Sequence, residues 1–440
     1  MNSKVPSIFP SETTPNVSSD PVNVFESIFT TDFLEWMCEM FVLYAVETYN
    51  DYDFKISVTE LKVWLAILFL SGYVSVPRWR MYWEVGSEST NQLVTNSMSR
   101  NRSEKIKKYA HFADNTKLDK ADKFAKLRPF FNKLNIAYLS LIQQHLQKDL
   151  SIAEAMATYY GRHSAKQYIQ NKPIKYGYKF WCLYDRLGYL TQFEPYQGKQ
   201  SLSTTLGVGA SVVLRLISPL PPLPFHLFGD RFFSSLKLVD ILTEKGIGYT
   251  GTVKSNRLEK CPLKNAKDLS KMERGSFDHQ HDSSSGILAM SYNDNKVFSV
   301  ISNVYGILPM TSSKRCSSAE SRKISIPTPD CVAKYNKNMG GVDRMDENIS
   351  NYRISIRSRK WWWSAFVFGM ETAMHNAWRL YVKAGHDGDF LSFRRNIVQS
   401  YLLSQAAEAN SGRGRPSQAQ HKVASKRVPD SIRYSKGKNH

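Results

Sequence analysis

Near Leu150 the hydrophobic period of the chain switches from helical to strand-like, and that switch restricts the fold more than any other feature of the sequence. SIAEAMATYY, KYGYKFWCLYD, YLTQFEPY, PFHLFGD and GIGYTGTV follow as short apolar runs punctuated by Gly, Pro and charged loops. Between the third and fourth lies SLSTTLGVGASVVLRLIS, which reads as a helix. Three strands, a helix and a further strand open an α/β sheet domain with helical cover. Upstream, residues 23–148 are helical in pattern. Ser57-Val-Thr-Glu60 is a capping-box signature ahead of LKVWLAILFLSGYV.

The rest of the chain divides by the same criteria. The expected sheet domain begins at 149–251, residues 252–330 lose the regular pattern and read as an inserted lobe, and 331–405 are helical again. Residues 1–22 are rich in Ser, Pro and Thr and read as a disordered lead. Residues 406–440 read as a basic disordered tail.

The formal charge of +20 over 440 residues is far from neutral. A chain so basic repels itself unless an acidic partner screens it, and nucleic acid is the commonest such partner; the alternative is a merely soluble basic protein. The five cysteines are far apart and form no CxxC pair, which argues against a zinc site or a disulfide framework and for reduced thiols. The first residues lack the apolar core of a signal peptide, and VWLAILFL is too short to span a bilayer. The expectation is a soluble protein of the cytosol or nucleus with no membrane partner.

Several residues could carry chemistry. Asp230 ends the strand-like run PFHLFGD, at the strand end where α/β sheets place ligands; taken alone it also suits a turn. In MGGVDRMDENISNYRISIRSRKWWW, Asp343, Asp346 and Glu347 stand at i, i+3 and i+4 and are expected on one helix face, a crowding that a cation would favour. Arg353, Arg357, Arg359 and Lys360 follow as a stripe suited to a phosphate backbone, while Trp361–Trp363 read as core. Arg100, Arg102, Lys105, Lys107 and Lys108 form a second basic run, either a solvated face or a DNA-facing one. Asp278-His-Gln-His-Asp282 resembles a metal cluster but reads as a solvated loop. Gly412-Arg413-Gly-Arg415-Pro416 resembles an AT-hook core, an arginine clip for A·T minor grooves that can also arise by chance in a basic tail.

GRHSAKQYIQNKPIKYGYKFW, FEPYQGK, GDRFFSSLKLVDIL, TGTVKSNR, CPLK and MGGVDRMDENISNYRISIRSRKWWW resemble the piggyBac transposases and the host genes derived from them. YVSVPRWRMYW, MSRNRSEKIKKYAHFADN and DKFAKLRPFF are similar to the family's helical N-terminal region, so the likeness runs from about residue 22 to 404. It implies a DDE-type recombinase: a ribonuclease-H-like core, a mixed sheet flanked by helices, with a helical N-terminal region for DNA binding and dimerisation. In the family three aspartates hold two divalent ions, usually Mg2+, for in-line attack on a DNA phosphodiester at TTAA sites. Asp230 matches the second aspartate, Asp343 the third, and Asp346 the additional acid three residues later. The resemblance further implies double-stranded DNA as partner, with Arg162, His163 and Lys166 of the GRHSAK segment among the contacts, a homodimer, and the nucleus as location.

The first aspartate is missing. The family's strand reads I-D-E-S-M, and this chain has Ile152-Ala153-Glu154-Ala155-Met156. Alternation along a strand turns Glu154 to the opposite face, and Asp149 lies about 13 Å away at roughly 3.3 Å per residue. The expectation is a transposase-derived DNA-binding protein without appreciable strand cleavage and with weakened Mg2+ binding. A β-bulge at Ala153 that turned Glu154 inward would instead restore an active transposase; a product with no selected role is the third reading. The sequence given stops at His440, before the Cys/His-rich zinc module that many family members carry, so no zinc is expected.

Overall fold

The computed structural model describes Phe9 and residues 14–86, 88–143, 147–170, 172–198, 206–317 and 322–410. Arg413 and Arg415 of the AT-hook-like sequence lie outside the described residues.

Among the described residues six α-helices precede the sheet: α1 (Pro21–Ile28), α2 (Thr31–Tyr49), α3 (Val58–Leu70), α4 (Gln92–Ser97), α5 (Arg100–Tyr109) and α6 (Arg128–Ile142). The capping box of α3 is formed: Glu60 N–H donates to Ser57 Oγ, and Ser57 N–H to Glu60 Oε2. Leu61 and every residue from Val63 to Leu70 are buried, so α3 is apolar all round because it is enclosed all round.

The sheet has nine strands. β1 (Asp149–Thr158), β2 (Gln167–Tyr168), β3 (Tyr176–Asp185) and β4 (Leu190–Pro195) come first. The helix α7 (Gly207–Ile217), β5 (His226–Gly229), α8 (Leu236–Glu244) and β6 (Gly248–Val253) follow. β3 lies antiparallel between β1 and β4, and the short β2 shares its outer edge. On its other side β1 runs parallel to β5, and β5 parallel to β6. This mixed sheet flanked by helices is the ribonuclease-H-like arrangement expected from the sequence.

Residues 252–330 are more regular than the sequence suggests. After the short α9 (Ala266–Leu269), β7 (Phe277–Asp282), β8 (Ile287–Asn293) and β9 (Val297–Ser302) continue the main sheet through antiparallel pairing of β9 with β6. Only β10 (Thr311–Ser317) and β11 (Arg322–Thr328) form a separate hairpin. Asp278, His279, His281 and Asp282 therefore lie on an edge strand rather than a loop, with His279, Gln280, His281 and Asp282 exposed. The alternation that usually marks a strand is absent there because an edge strand has polar residues on both faces.

Four helices close the structure: α10 (Asp330–Asn338), α11 (Gly341–Asn351), α12 (Trp363–Lys383) and α13 (Phe390–Asn410). α12 is the central one and carries a buried polar seam. Asn376 accepts from Leu190 N–H at 2.9 Å and donates to Leu190 O at 2.8 Å, fixing α12 to β4. Thr372 and Tyr138 share a hydrogen bond of 2.9 Å, which fixes it to α6. Glu371, on the same helix, is paired with Arg394 of α13 at 2.6 Å, with both side chains no more than 1% exposed. Arg394 also donates to Phe69 O at the end of α3, and Glu371 accepts from Ile354 N–H at 2.7 Å.

Removing one member leaves the other charge buried and alone. Arg394→Ala is expected to cost about 3–5 kcal/mol in urea unfolding, whereas Glu371→Leu combined with Arg394→Met recovers most of that loss.

His111 is buried between Tyr44, stacked at 4.2 Å, and Trp362. Burial first, and then Lys126, push it down to about 4. A histidine depressed in the fold takes up its proton more readily when unfolded, so stability is complete above pH 6.5 and lost as pH falls towards 4. The expected loss from this site is about 3 kcal/mol, and His111→Phe should flatten that part of the stability–pH curve.

Candidate active site

The parallel pairing of β1 with β5 places the candidate acids. Ile152 pairs with Gly229, so Ala153 stands beside Asp230, the residue that leaves the carboxyl end of β5. Across β3, Ala153 lies opposite Cys182. α11 approaches the same part of the sheet through Gly341. A Cβ there would collide with the Asp185 carbonyl and press on the Tyr184 Cβ, so only glycine allows this approach.

α11 packs on Val342, Met345 and Ile349. At roughly 100° per residue, Asp346 borders that apolar stripe, while Asp343 and Glu347 fall on the far side. Asp346 is accordingly half-buried, and Asp343 and Glu347 are exposed. The three carboxylates share one side of the helix, as the sequence expects, spanning roughly 100°, but only Asp346 is part-buried, because the apolar stripe fixes the rotation of the helix. Burial pushes Asp346 up to about 6, opposed by Arg353 and Lys172. Its charge also reaches Cys182 and Tyr184, the residues on the Ala153 face of β3.

Asp230 is likewise pushed up, by burial first, while Phe232 N–H donates to its Oδ1 at 2.7 Å and Glu154 pushes it further up. Glu154 lies opposite Trp181, on the other face of β1 from Ala153. The β1–β3 register is unbroken from Leu150 to Thr158, so no bulge turns Glu154 round. Its carboxylate is engaged by Lys179 and, at 3.7 Å, by Lys172. Asp149, at the far end of β1, faces His226 at 3.5 Å.

Mg2+ is the ion the resemblance implies, and these residues do not fit it. A methyl group stands where the resemblance implies the first aspartate, Asp343 is exposed, and the neighbouring Glu154 is held by the ammonium groups of Lys172 and Lys179 on the other face of β1. Among the described residues no group of three His, Cys, Asp or Glu side chains is arranged to hold a metal ion.

The expected DNA contacts separate into two kinds. Residues 352–360 are irregular rather than helical, with Ile354 and Ile356 buried and Arg357 and Arg359 exposed on alternate positions. Alternate burial therefore sets the arginine positions, with Arg353 only partly exposed and its charge opposing the burial of Asp346. Arg162 is exposed and Lys166 partly so. His163 and Lys360 are committed elsewhere. His163 stacks on Trp361 at 4.0 Å. The Lys360 ammonium donates to the carbonyls of Lys107, Lys108 and Ala110 at 2.6–3.1 Å, capping the end of α5. Burial pushes Lys360 down to about 7.

The basic run of α5 is partly occupied as well: Arg102 pairs with Glu60, Lys105 with Asp51, and Lys107 donates to Arg357 O. Sequence reasoning missed Lys172 and Lys179. Their spacing in NKPIKYGYKFW gave no signal, since the pairing of β3 with β1 brings Lys179 to Glu154 and the segment between β2 and β3 brings Lys172.

Comparison with known proteins gives concordant results. Residues 20–378 match the family model described as "Transposase IS4". The chain is 39% identical over 402 residues to human PiggyBac transposable element-derived protein 2, covering 89% of this chain and 67% of that protein. It is 40% identical over 407 residues to human PiggyBac transposable element-derived protein 3, covering 91% of this chain and 68% of that protein. In fold it is similar to a piggyBac transposase solved by cryo-electron microscopy as a synaptic complex with hairpin DNA. That likeness has a TM-score of 0.75 at 20% identity, over 92% of this chain and 85% of the other.

Lys360→Met leaves three carbonyls without their donor and is expected to lower stability by about 1–3 kcal/mol in thermal unfolding. Arg357→Ala and Arg359→Ala, on the exposed positions of the same segment, should change it by no more than about 0.5 kcal/mol.

Proposed function

Because the chain belongs to the piggyBac transposase family, we propose that it is a transposase-derived protein that binds double-stranded DNA and does not cleave it. The observation that carries the second half is Ala153. It is 6% exposed, stands beside Asp230 on β1 and faces Cys182, so the strand offers no carboxylate next to Asp230 on the α11 side, where the other acid of that parity, Asp149, is at the far end of β1. Asp230, Asp343 and Asp346, which match the family's acids, keep their places in the chain but not a metal-holding arrangement.

The net charge of +20 and the exposed Arg162, Arg357 and Arg359 support the DNA-binding half. Arginine suits this work because its planar fork bonds two phosphate oxygens at once. The salt dependence of binding reports how many phosphates the protein neutralises. Nuclear location and pairing of two copies on DNA belong to the same proposal, by likeness to the family.

A second reading, cleavage with Glu154 in place of the lost aspartate, draws on the proximity of Glu154 to Asp230. Against it stand the unbroken β1–β3 register and the two lysines that hold the Glu154 carboxylate.

The test is binding of a duplex across a salt series, together with incubation of a transposon-end duplex with Mg2+ or Mn2+. Affinity should fall steeply with salt, and Arg357→Ala and Arg359→Ala should each lower the slope of log K against log salt by about 1. No strand cleavage is expected. Salt-independent or absent binding overturns the first half, and cleavage that is lost in Glu154→Gln overturns the second.

A further inference from the structure

Past the carboxyl end of β1 the chain runs YYGRHSAKQYIQNKPIKY from Tyr159 to Tyr176, with no acid in it. β1 and β5 are parallel, so this segment leaves the same end of the sheet as Asp230. Of the five tyrosines that are largely exposed among the described residues, three are here: Tyr160 at 77%, Tyr168 at 55% and Tyr176 at 44%. Their rings form one patch. Tyr168 and Tyr176 are cross-strand partners of β2 and β3 with ring centres 4.7 Å apart, and the Tyr160 ring lies 6.4 Å from that of Tyr176. The backbone under the patch is fixed: Tyr159 N–H donates to Tyr176 O at 3.1 Å, and Ile169 N–H to Lys175 O at 2.9 Å. Tyr159 stacks on the buried Tyr178 at 4.8 Å and packs against the core, whereas Tyr160, Tyr168 and Tyr176 stand outside it.

Cations border the rings. Arg162 follows Tyr160 by two residues, Lys166 precedes Tyr168 by two, and Lys175 adjoins Tyr176. Arg162 and Lys175 are exposed and Lys166 partly so, while Lys172 of the same segment is engaged by Glu154. A contiguous exposed aromatic patch marks an interaction site, and the charge around this one selects the partner. A protein surface would use the rings and leave an excess of positive charge uncompensated. A nucleic-acid strand uses both, since its phosphates meet the cations and its bases the rings. Within a duplex each base face is covered by the next pair, so a tyrosine stacks only on bases that are unpaired.

We propose that Tyr160, Tyr168 and Tyr176 form a stacking platform for the unpaired bases of single-stranded DNA, with Arg162, Lys166 and Lys175 on its phosphates. The choice of DNA over RNA rests on the DNA-binding reading above. The use of unpaired bases goes beyond that reading, which concerns duplex DNA.

The experiment uses the full chain and a fluorescently labelled oligothymidine of about 15 nucleotides, with binding read by anisotropy. A duplex of the same length is measured in parallel. Tyr168→Ala and Tyr176→Ala should each weaken binding of the single strand at least about fivefold, the lower end of what one base–aromatic stack contributes. Tyr168→Phe and Tyr176→Phe keep the ring and should stay within about twofold of wild type. Duplex affinity should change by less than about twofold in all of these variants, whose phosphate contacts are intact. Absent binding of the single strand by wild type, or binding that the alanine variants leave unchanged, overturns the proposal. So does an equal loss on the duplex, and tighter binding of oligouridine than of oligothymidine overturns the choice of DNA. A wild type that binds the single strand through these tyrosines but fails to bind the duplex upholds this inference and sinks the duplex-binding reading, so the two fail separately.

Discussion

The buried pair between Glu371 and Arg394 ties four parts of the molecule together: α12, α13, the end of α3 and the irregular segment at Ile354. Each partner completes the hydrogen bonding of the other, and Glu371 also takes up the Ile354 N–H, which would otherwise be unpaired in the core, while Arg394 adds a donor to Phe69 O beside the Gly72 N–H. The pair thereby sets where residues 352–360 run across the helical cover. Along that segment Arg353 is partly exposed, Arg357 and Arg359 are exposed, and Trp362 and Trp363 are seated in the core.

The candidate site depends on a second constraint, the parallel register of β1 and β5. It brings Ala153 level with Asp230, and the close approach at Gly341 brings Asp346 to the neighbouring strand. The chemistry follows from charge: burial raises both Asp230 and Asp346, and the groups that oppose it are lysine and arginine of the same chain.

Lysine behaves in two opposite ways in this structure. Lys360 has left the surface to cap α5, its three donors matched by three carbonyls. Lys172 and Lys179 converge on one carboxylate from different segments. Neither use is visible as a local pattern, because in each case the partners are far away in sequence. A basic stretch is consequently a poor guide to which cations are available to DNA: of Arg353, Arg357, Arg359 and Lys360, two remain outward.

Local and periodic features were legible in the sequence. The helical region before Leu150, the capping box at Ser57, the strands of the sheet up to Val253 and the buried tryptophans all follow from hydrophobic period or short-range bonding. The substitution at Ala153 is also a property of the sequence, and alternation along β1 sufficed to put Glu154 on the other face. Less legible were β7–β9, whose edge strand is polar on both sides, and the rotation of α11, which its packing against the sheet decides. The sequence by itself determined the helices and most of the strands, and that alanine rather than a carboxylate stands at position 153, because both depend on residue identity and near neighbours. Only the tertiary structure decided which charges meet, since strand pairing and helix rotation bring together Lys172, Lys179, Glu154, Asp230 and Asp346 across long separations in the chain.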